Sequence, residues 1–482
     1  NWIVKYMVQN SLGAQWLATY PDSALKGQME YYIEPAEQTD EVKAQLAAIT
    51  PESLNPEELT LIDPACGSGH ILVEAYELFK AIYLERGYQQ REIPQLILEK
   101  NLFGLDIDER AAQLTSFALM MKGRGDDRRL FERGIQLNVM ALVNSDGLDV
   151  EGLANSVNLA DHGLKLADIL ELKQLFEHAT IFGSLIQLPD GLSDKLPALR
   201  RLSELMGQDM LAGEALKTME PLLRQAELLA ARYDDVVANP PYMGSGGMNA
   251  LLKDFTKYTY PEAKRDLFAC FMERNHSLSH NHGIIAMVTM QSWMFLASFQ
   301  GMRARLLRDQ TIISMAHIGF NSFPTLNSKV ALATAFVCQN ARIEGYEGIY
   351  IDLNSASQTA DKRQVFINRD ASINFETSAE KLQMLPGSPI AYWASDQVRK
   401  VFNQHRPLSE SLEAREGLTT GSNDLFVRIW HEADHENITF NLPAGLSTRG
   451  IRSKWFPYLK GGGFRRWAGF NENIVSWSND GE

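Results

Sequence analysis

A chain of 482 residues with 45% hydrophobic and 22% charged side chains has enough apolar material for two or three packed domains, which excludes the disordered and fibrous classes. Its formal charge of −14 is awkward for nucleic-acid binding, an affinity carried by Lys and Arg contacts to phosphate, so that function would require a locally basic face or further chain. No apolar run approaches the roughly 20 residues that cross a bilayer, residues 1–20 show no signal-like stretch, and Cys66, Cys270 and Cys338 are too scattered for a disulfide frame or a zinc site; a cytoplasmic protein with no membrane partner is expected.

In chain order, residues 60–64 read as a short strand, 67–69 as a tight turn and 70–86 as an amphipathic helix with Leu72, Val73, Tyr76 and Phe79 on its apolar face. Residues 102–107 form the next expected strand and 110–122 the next helix. Strand, glycine turn, helix, strand is the opening of a doubly wound α/β domain. Residues 144–232 break that rhythm with Leu-rich helical segments around Leu188-Pro-Asp-Gly-Leu192 and are expected to form a helical insertion. The α/β pattern resumes with strands at 235–238, 283–289, 312–318 and 331–338 and helices at 262–280 and 298–308. The composition changes near residue 368, with Pro386-Gly-Ser-Pro389 and Lys460-Gly-Gly-Gly463 beyond it. The expected division is therefore 1–143 and 233–367 as two parts of one domain, 144–232 as the insertion, and 368–482 as the start of a second domain. A first residue other than Met and a last stretch rich in Gly, Asn and Trp suggest a piece of a longer chain.

Two strings carry chemistry. In Asp63-Pro-Ala-Cys-Gly-Ser-Gly69, Gly67 and Gly69 let a ligand approach the backbone where the following helix presents its amides. A dinucleotide or plain helix packing would also explain such a turn. Asp106 at the end of the next strand can bind ribose hydroxyls, although it lies well past the roughly 20-residue spacing of a dinucleotide fingerprint, which disfavours NAD. Asp63 could meet a ligand ammonium or simply satisfy turn amides.

The second string is Asn239-Pro240-Pro241-Tyr242. An exocyclic adenine amine delocalises its lone pair into the ring and attacks a methyl sulfonium only if its protons are accepted at fixed geometry. The Asn239 amide oxygen and the Pro240 carbonyl can be those acceptors, the prolines fix φ, and Tyr242 offers a flat face to a base taken out of a duplex. A Pro-Pro bend with an Asn cap is the bland alternative. Phe323, before Pro324, could be a second aromatic wall or a core residue. Lys460, Arg465, Arg466 and Trp467 could track phosphate and stack, or form an ordinary surface hairpin. His70 and His317 lack metal-ligand spacing, and no metal is expected.

With these residues in order, the chain resembles the amino-methyltransferases that make N6-methyladenine, in the class with the cofactor motif first and the target recognition domain last. The matching segments are Ile3-Val-Lys-Tyr-Met7, Asp63 to Gly69, Gly104-Leu-Asp-Ile-Asp108, Asn239 to Tyr242, Asp266-Leu-Phe268, residues 283–293 and Phe323-Pro324. More narrowly, Ile181-Phe-Gly-Ser-Leu-Ile186, Asn239-Pro-Pro-Tyr-Met-Gly244 and Lys460-Gly-Gly-Gly-Phe-Arg-Arg-Trp467 resemble the PglX-type methyltransferases of BREX phage-defence systems. The resemblance implies a Rossmann-like S-adenosylmethionine-dependent methyltransferase sheet with the start of a C-terminal target recognition domain. It also implies site-specific, adenine-directed methylation of double-stranded DNA in host marking, alongside other BREX proteins. Asp63, Ala65, Gly67, Gly69, Asp106 and Ile107 would then hold the cofactor, with Asn138 as the third-motif residue, and Tyr242 and Phe323 would sandwich the adenine. The Thr-Pro that usually precedes the first motif is missing, so the methionine end of the cofactor would be held less well. Glutamine methylation of a protein, which also uses an Asn-Pro-Pro-Tyr loop, and a DNA-recognition subunit with little turnover are the rival readings.

Overall fold

Strands of a parallel sheet covered on both faces read as short continuous apolar runs, and β1 (Leu61–Asp63) is buried at all three positions. A computed structural model of the protein describes residues 2–204, 210–320, 332–357, 359–413, 418–443 and 446–481. The fold is α/β, built on a nine-stranded sheet in the order β3-β2-β1-β4-β5-β7-β6-β8-β9. After β1 come β2 (Leu102–Asp106), β3 (Asn138–Ala141), β4 (Tyr233–Ala238), β5 (Ser279–Met290), β6 (Thr311–Gly319), β7 (Ala333–Gln339), β8 (Gly348–Asp352) and β9 (Asn374–Thr377). β1 pairs in parallel with both β2 and β4, β2 with β3, and β4 with β5; β7 runs antiparallel between β5 and β6. The chain thus leaves β1 toward one edge of the sheet and returns on its other side, which makes the carboxyl ends of β1 and β4 a topological switch point, where α/β sheets bind ligands.

Helix α1 (His70–Glu85) starts after Gly69, which has the left-handed backbone (φ 80°) that a residue without Cβ adopts freely. Leu72, Tyr76, Phe79 and Tyr83 recur at helical spacing and are fully buried. α2 (Glu109–Asp126) is capped by Asp108, whose carboxylate accepts the Arg110 amide. The helix expected over 262–280 is α4 (Leu267–Leu278), and a helix not expected from the sequence, α3 (Ala250–Thr259), precedes it across Pro261.

The helical insertion is a layer of the core. Leu172, Phe176, Leu199 and Leu223 from it share one cluster with Val236, Phe268 and Met287, so its leucines cover one face of the sheet. The other face is covered by α1 and the first helix, Trp2–Asn10.

The chain forms two compact units, Asn1–His405 and Arg406–Glu482, and the boundary expected near residue 368 moves to about 405. β9 pairs antiparallel with β8, Tyr392 stacks on Tyr350 at 5.2 Å, and the Gly387 and Ser388 carbonyls accept bonds from the buried Arg303, which ties this stretch to the first unit. The second unit contains a three-stranded sheet, β10 (Val427–Ile429), β11 (Trp455–Tyr458) and β12 (Asn473–Ser476), with β12 central and antiparallel to both. No helix among the described residues is long and apolar enough to cross a membrane.

Candidate active site

The glycine turn is braced from two sides. Gly67 has φ 54°; its carbonyl accepts the Thr115 hydroxyl at 2.9 Å and its amide donates to Asp106 Oδ2 at 2.8 Å. A Cβ at Gly69 would meet Thr115 Oγ1 at 2.9 Å, so the turn seats against α2 only with glycine there. The other Asp106 oxygen accepts the Asp108 amide at 2.9 Å. Each carboxylate oxygen has a second lone pair, so Asp106 can close the turn and still bind a diol.

Asp63 is 1% exposed and accepts the Ala65 amide at 3.1 Å. Burial pushes its carboxyl up to about 7; nearby Asp106 adds to the rise and the Ala65 amide opposes it.

The second loop leaves the carboxyl end of β4. Asn239 and Pro241 are exposed and Pro240 is buried between them. The Tyr242 hydroxyl lies 3.2 Å from Asn239 Oδ1 and 3.3 Å from the Val288 carbonyl, so one proton is shared between two acceptors. Burial raises this phenol well above its ordinary value, which keeps it a donor. Its ring stands at right angles to Phe268, centroids 6.2 Å apart. Beyond Tyr242 the chain is stitched to the start of α4: Asp266 Oδ1 accepts the Met243 amide at 3.1 Å and the Met243 carbonyl accepts the Leu267 amide at 3.0 Å.

Both loops open on one cavity of about 320 Å³, which Ala65, Asp106 and Ile107 line on one side and Asn239, Pro241, Leu267 and Phe271 on another. A third wall, residues 181–185, comes from the helical insertion. Phe182 stacks on Phe255 of α3 at 4.2 Å, the Ser184 hydroxyl donates to the Pro64 carbonyl at 2.6 Å, and Tyr260 donates to the Leu185 carbonyl at 2.6 Å. Gly183 has φ 59° and ψ −148°, a region essentially confined to glycine, and a Cβ there would meet Ile107 at 2.9 Å. Arg274 of α4, 3% exposed, donates to the Ser184 and Leu229 carbonyls and so anchors this wall. No residue of the wall was assigned to a site from the sequence; its signal was the string Ile181-Phe-Gly-Ser-Leu-Ile186, noted only for its family resemblance.

Of the residues singled out from the sequence, Ala65, Asp106, Ile107, Asn239 and Pro241 meet around this cavity. Asp63, Gly67 and Gly69 form the turn behind it, Pro240 is buried in the loop, and Tyr242 braces Asn239. Asn138 is a correction. It opens β3 opposite Phe103, at the amino end of the strand, and its side chain donates to the Glu99 carbonyl at 2.8 Å. The cavity lies at the carboxyl ends, where Ala141 is the residue opposite Asp106. Phe323 lies outside the described residues. His317 is buried, bonded to the Tyr392 hydroxyl at 2.8 Å and to Gln291 at 2.7 Å, and burial pushes it down to about 4. No metal-holding group of His, Cys, Asp and Glu occurs among the described residues.

Residues 100–323 match the family model of the Eco57I restriction-modification methylase, and residues 37–144 that of the MmeI DNA-methyltransferase domain. The whole chain aligns with the adenine-specific methyltransferase BrxX of Escherichia coli O9:H4 (strain HS) at 45% identity and with the adenine-specific methyltransferase PglX of Lacticaseibacillus casei (strain Zhang) at 38%. It spans 41% of the length of each. Among solved structures it is similar to the Type ISP restriction-modification enzyme LlaGI in complex with a DNA substrate mimic, with a TM-score of 0.43 and 12% identity over 79% of this chain and 28% of that one. The Type IIL enzyme MmeI in complex with DNA gives 0.39 and 14% over 74% and 38%.

Proposed function

The chain is related along its whole length to adenine-specific methyltransferases and carries an Eco57I-type methylase domain, and from that premise we propose that it methylates the N6 amine of an adenine swung out of duplex DNA, with S-adenosylmethionine as cofactor. The observation that carries this reading is the shared cavity: Asp106 and Asn239, far apart in the chain, line the same space at the switch point of the sheet. The residues fit the cofactor. Asp106 keeps acceptors free for a ribose, Ile107 and Ala65 offer apolar contact to a nucleobase, and the buried Asp63 carboxyl, in the turn behind the cavity, would be stabilised as an anion by the cofactor's ammonium.

S-adenosylmethionine, when bound, supplies an electrophilic methyl group. The work of the chain is positional. Asn239 Oδ1 would accept a hydrogen bond from one amine N–H and the Pro240 carbonyl from the other, which draws the nitrogen lone pair out of conjugation with the ring. The Tyr242 hydroxyl sets the angle of the Asn239 amide, and the Tyr242 ring walls the base. No group with a tuned pKa is needed. By extension from the BrxX and PglX relatives, the biological role is host marking in BREX-type phage defence, in the cytoplasm and with other BREX proteins. The second unit, 406–482, is the start of a target recognition domain.

Incubating the purified protein with labelled S-adenosylmethionine and either duplex DNA or protein extract tests this reading. Label recovered from DNA as N6-methyladenine is expected; label confined to protein glutamine overturns it. Two further results are expected. Gly183→Val forces a branched side chain into a glycine-only conformation against Ile107, at a cost of about 1–3 kcal/mol in stability, and it narrows the cavity; calorimetry should find S-adenosylmethionine binding weakened at least about tenfold. For Asp63 the folded pKa lies above the unfolded one, so the native state holds the proton longer and stability falls as pH rises from about 4 to about 7. The same shift makes binding of a ligand ammonium release a proton, so affinity should climb over that window. Urea titrations and binding isotherms at several pH values, with Asp63→Asn flattening both trends, are the check.

A further inference from the structure

The loop from residue 459 to 472 joins β11 to β12 and is built to hold side chains out into solvent. Trp467 is 99% exposed and Phe464 87%. Large aromatic rings are seldom left bare, and a bare ring rimmed by charge marks a contact site. The exposure is enforced by the backbone: Trp467 has φ 70° and Phe470 φ 63°, left-handed conformations that are costly for aromatic residues. The base of the loop is fixed, since Arg465 pairs with Glu472 at 2.6 Å and lies over the Phe470 ring at 5.0 Å. Arg466 and Lys460 have no carboxylate partner among the described residues; Arg466 is exposed with the aromatic tip, and Lys460 is half-buried at the start of the loop.

Charge separates this loop from the rest of the chain. Residues 449–471 contain Arg449, Arg452, Lys454, Lys460, Arg465 and Arg466 and no Asp or Glu, in a protein of net charge −14. Cations beside flat apolar rings match a polyanion with stacked bases: phosphate takes the cations, and an aromatic wedge enters or caps a base step.

We infer that the 459–472 loop is a duplex DNA contact, in which Lys460 and Arg466 pair with backbone phosphates and Trp467, seconded by Phe464, stacks on a base of the bound site. This rests on the proposed action on DNA and adds to it the surface of the second unit that grips the substrate. None of these side chains is buried, so replacing them leaves the fold intact, and unchanged thermal unfolding is the control.

The test measures duplex affinity of the full-length protein over a range of salt for wild type, Lys460→Ala with Arg466→Ala, Trp467→Ala and Trp467→Phe. Losing two phosphate contacts should make the slope of log affinity against log salt shallower by about two. Trp467→Ala should weaken binding about ten- to a hundredfold with little change in slope, and Trp467→Phe should restore most of it. S-adenosylmethionine binding should be unaffected in all. Wild-type slope and affinity in the variants, with the wild type itself binding and methylating DNA, overturn the inference and leave the function standing. So does loss of binding to a partner protein without loss of DNA binding. A wild type that neither binds nor methylates DNA sinks the functional reading first, and the inference with it.

Discussion

Asn239→Ala is expected to lower single-turnover methylation of duplex DNA by about 10²- to 10³-fold, the size of effect seen when one preorganised partner of a reacting group is removed. S-adenosylmethionine affinity should stay within about threefold of wild type. The two readouts separate because Asn239 is exposed at the end of β4 and contributes little to the fold, whereas the loop itself is held by the buried Pro240, by Asp266 and by the Met243 carbonyl. Asn239→Asp keeps an acceptor oxygen in place and should lose less. Methylation by Asn239→Ala at the wild-type rate would refute the role given to this side chain and take the proposed chemistry with it.

Arg274→Ala should cost about 3–5 kcal/mol of stability, read as a lower urea midpoint. The guanidinium donates to the Ser184 and Leu229 carbonyls and to the Ser277 hydroxyl, each at 2.8 Å. Truncation leaves two buried carbonyls short of a donor and a hole the size of the lost side chain. Burial pulls this guanidinium below its usual pKa, but only from a value far above neutrality, so it stays charged and the bonds to it are of the stronger kind. Arg274→Lys should recover only part of the loss, since an ammonium on a straight stem cannot span carbonyls on two elements and a hydroxyl at once. Cofactor affinity should fall along with stability, because the same carbonyl anchors the 181–185 wall. A midpoint within error of wild type would show that the insertion holds its place without this anchor.

How far the sequence could be read depended on whether a signal was local. The β1, glycine turn, α1 and β2 unit was legible because Gly67 and Gly69 announce the turn and Leu72, Tyr76 and Phe79 the helix face, and both are properties of neighbouring residues. Asn138 was misplaced because the position of β3 is set by its pairing with β2, Asp106 opposite Ala141, and no residue in that stretch declares it. The need for glycine at position 183 arises from Ile107, far away in the chain, so the string Ile181 to Ile186 stood out only as a resemblance and its place in the cavity was not legible locally. Helix α3 was overlooked although its residues are amphipathic, and it buries only Leu252 and Thr256. Near residue 386 the prolines and glycines suggest a linker, but the carbonyls there are taken up by Arg303 and the Ile390 amide by Met294.

The third wall of the cavity also sets an order of events during synthesis. The ribosome releases β1, the glycine turn and β2 first, then the insertion, and last the helix bearing the guanidinium that fastens the insertion down. A nascent chain that stops short of α4 has the turn without the Arg274 bonds that anchor its enclosure.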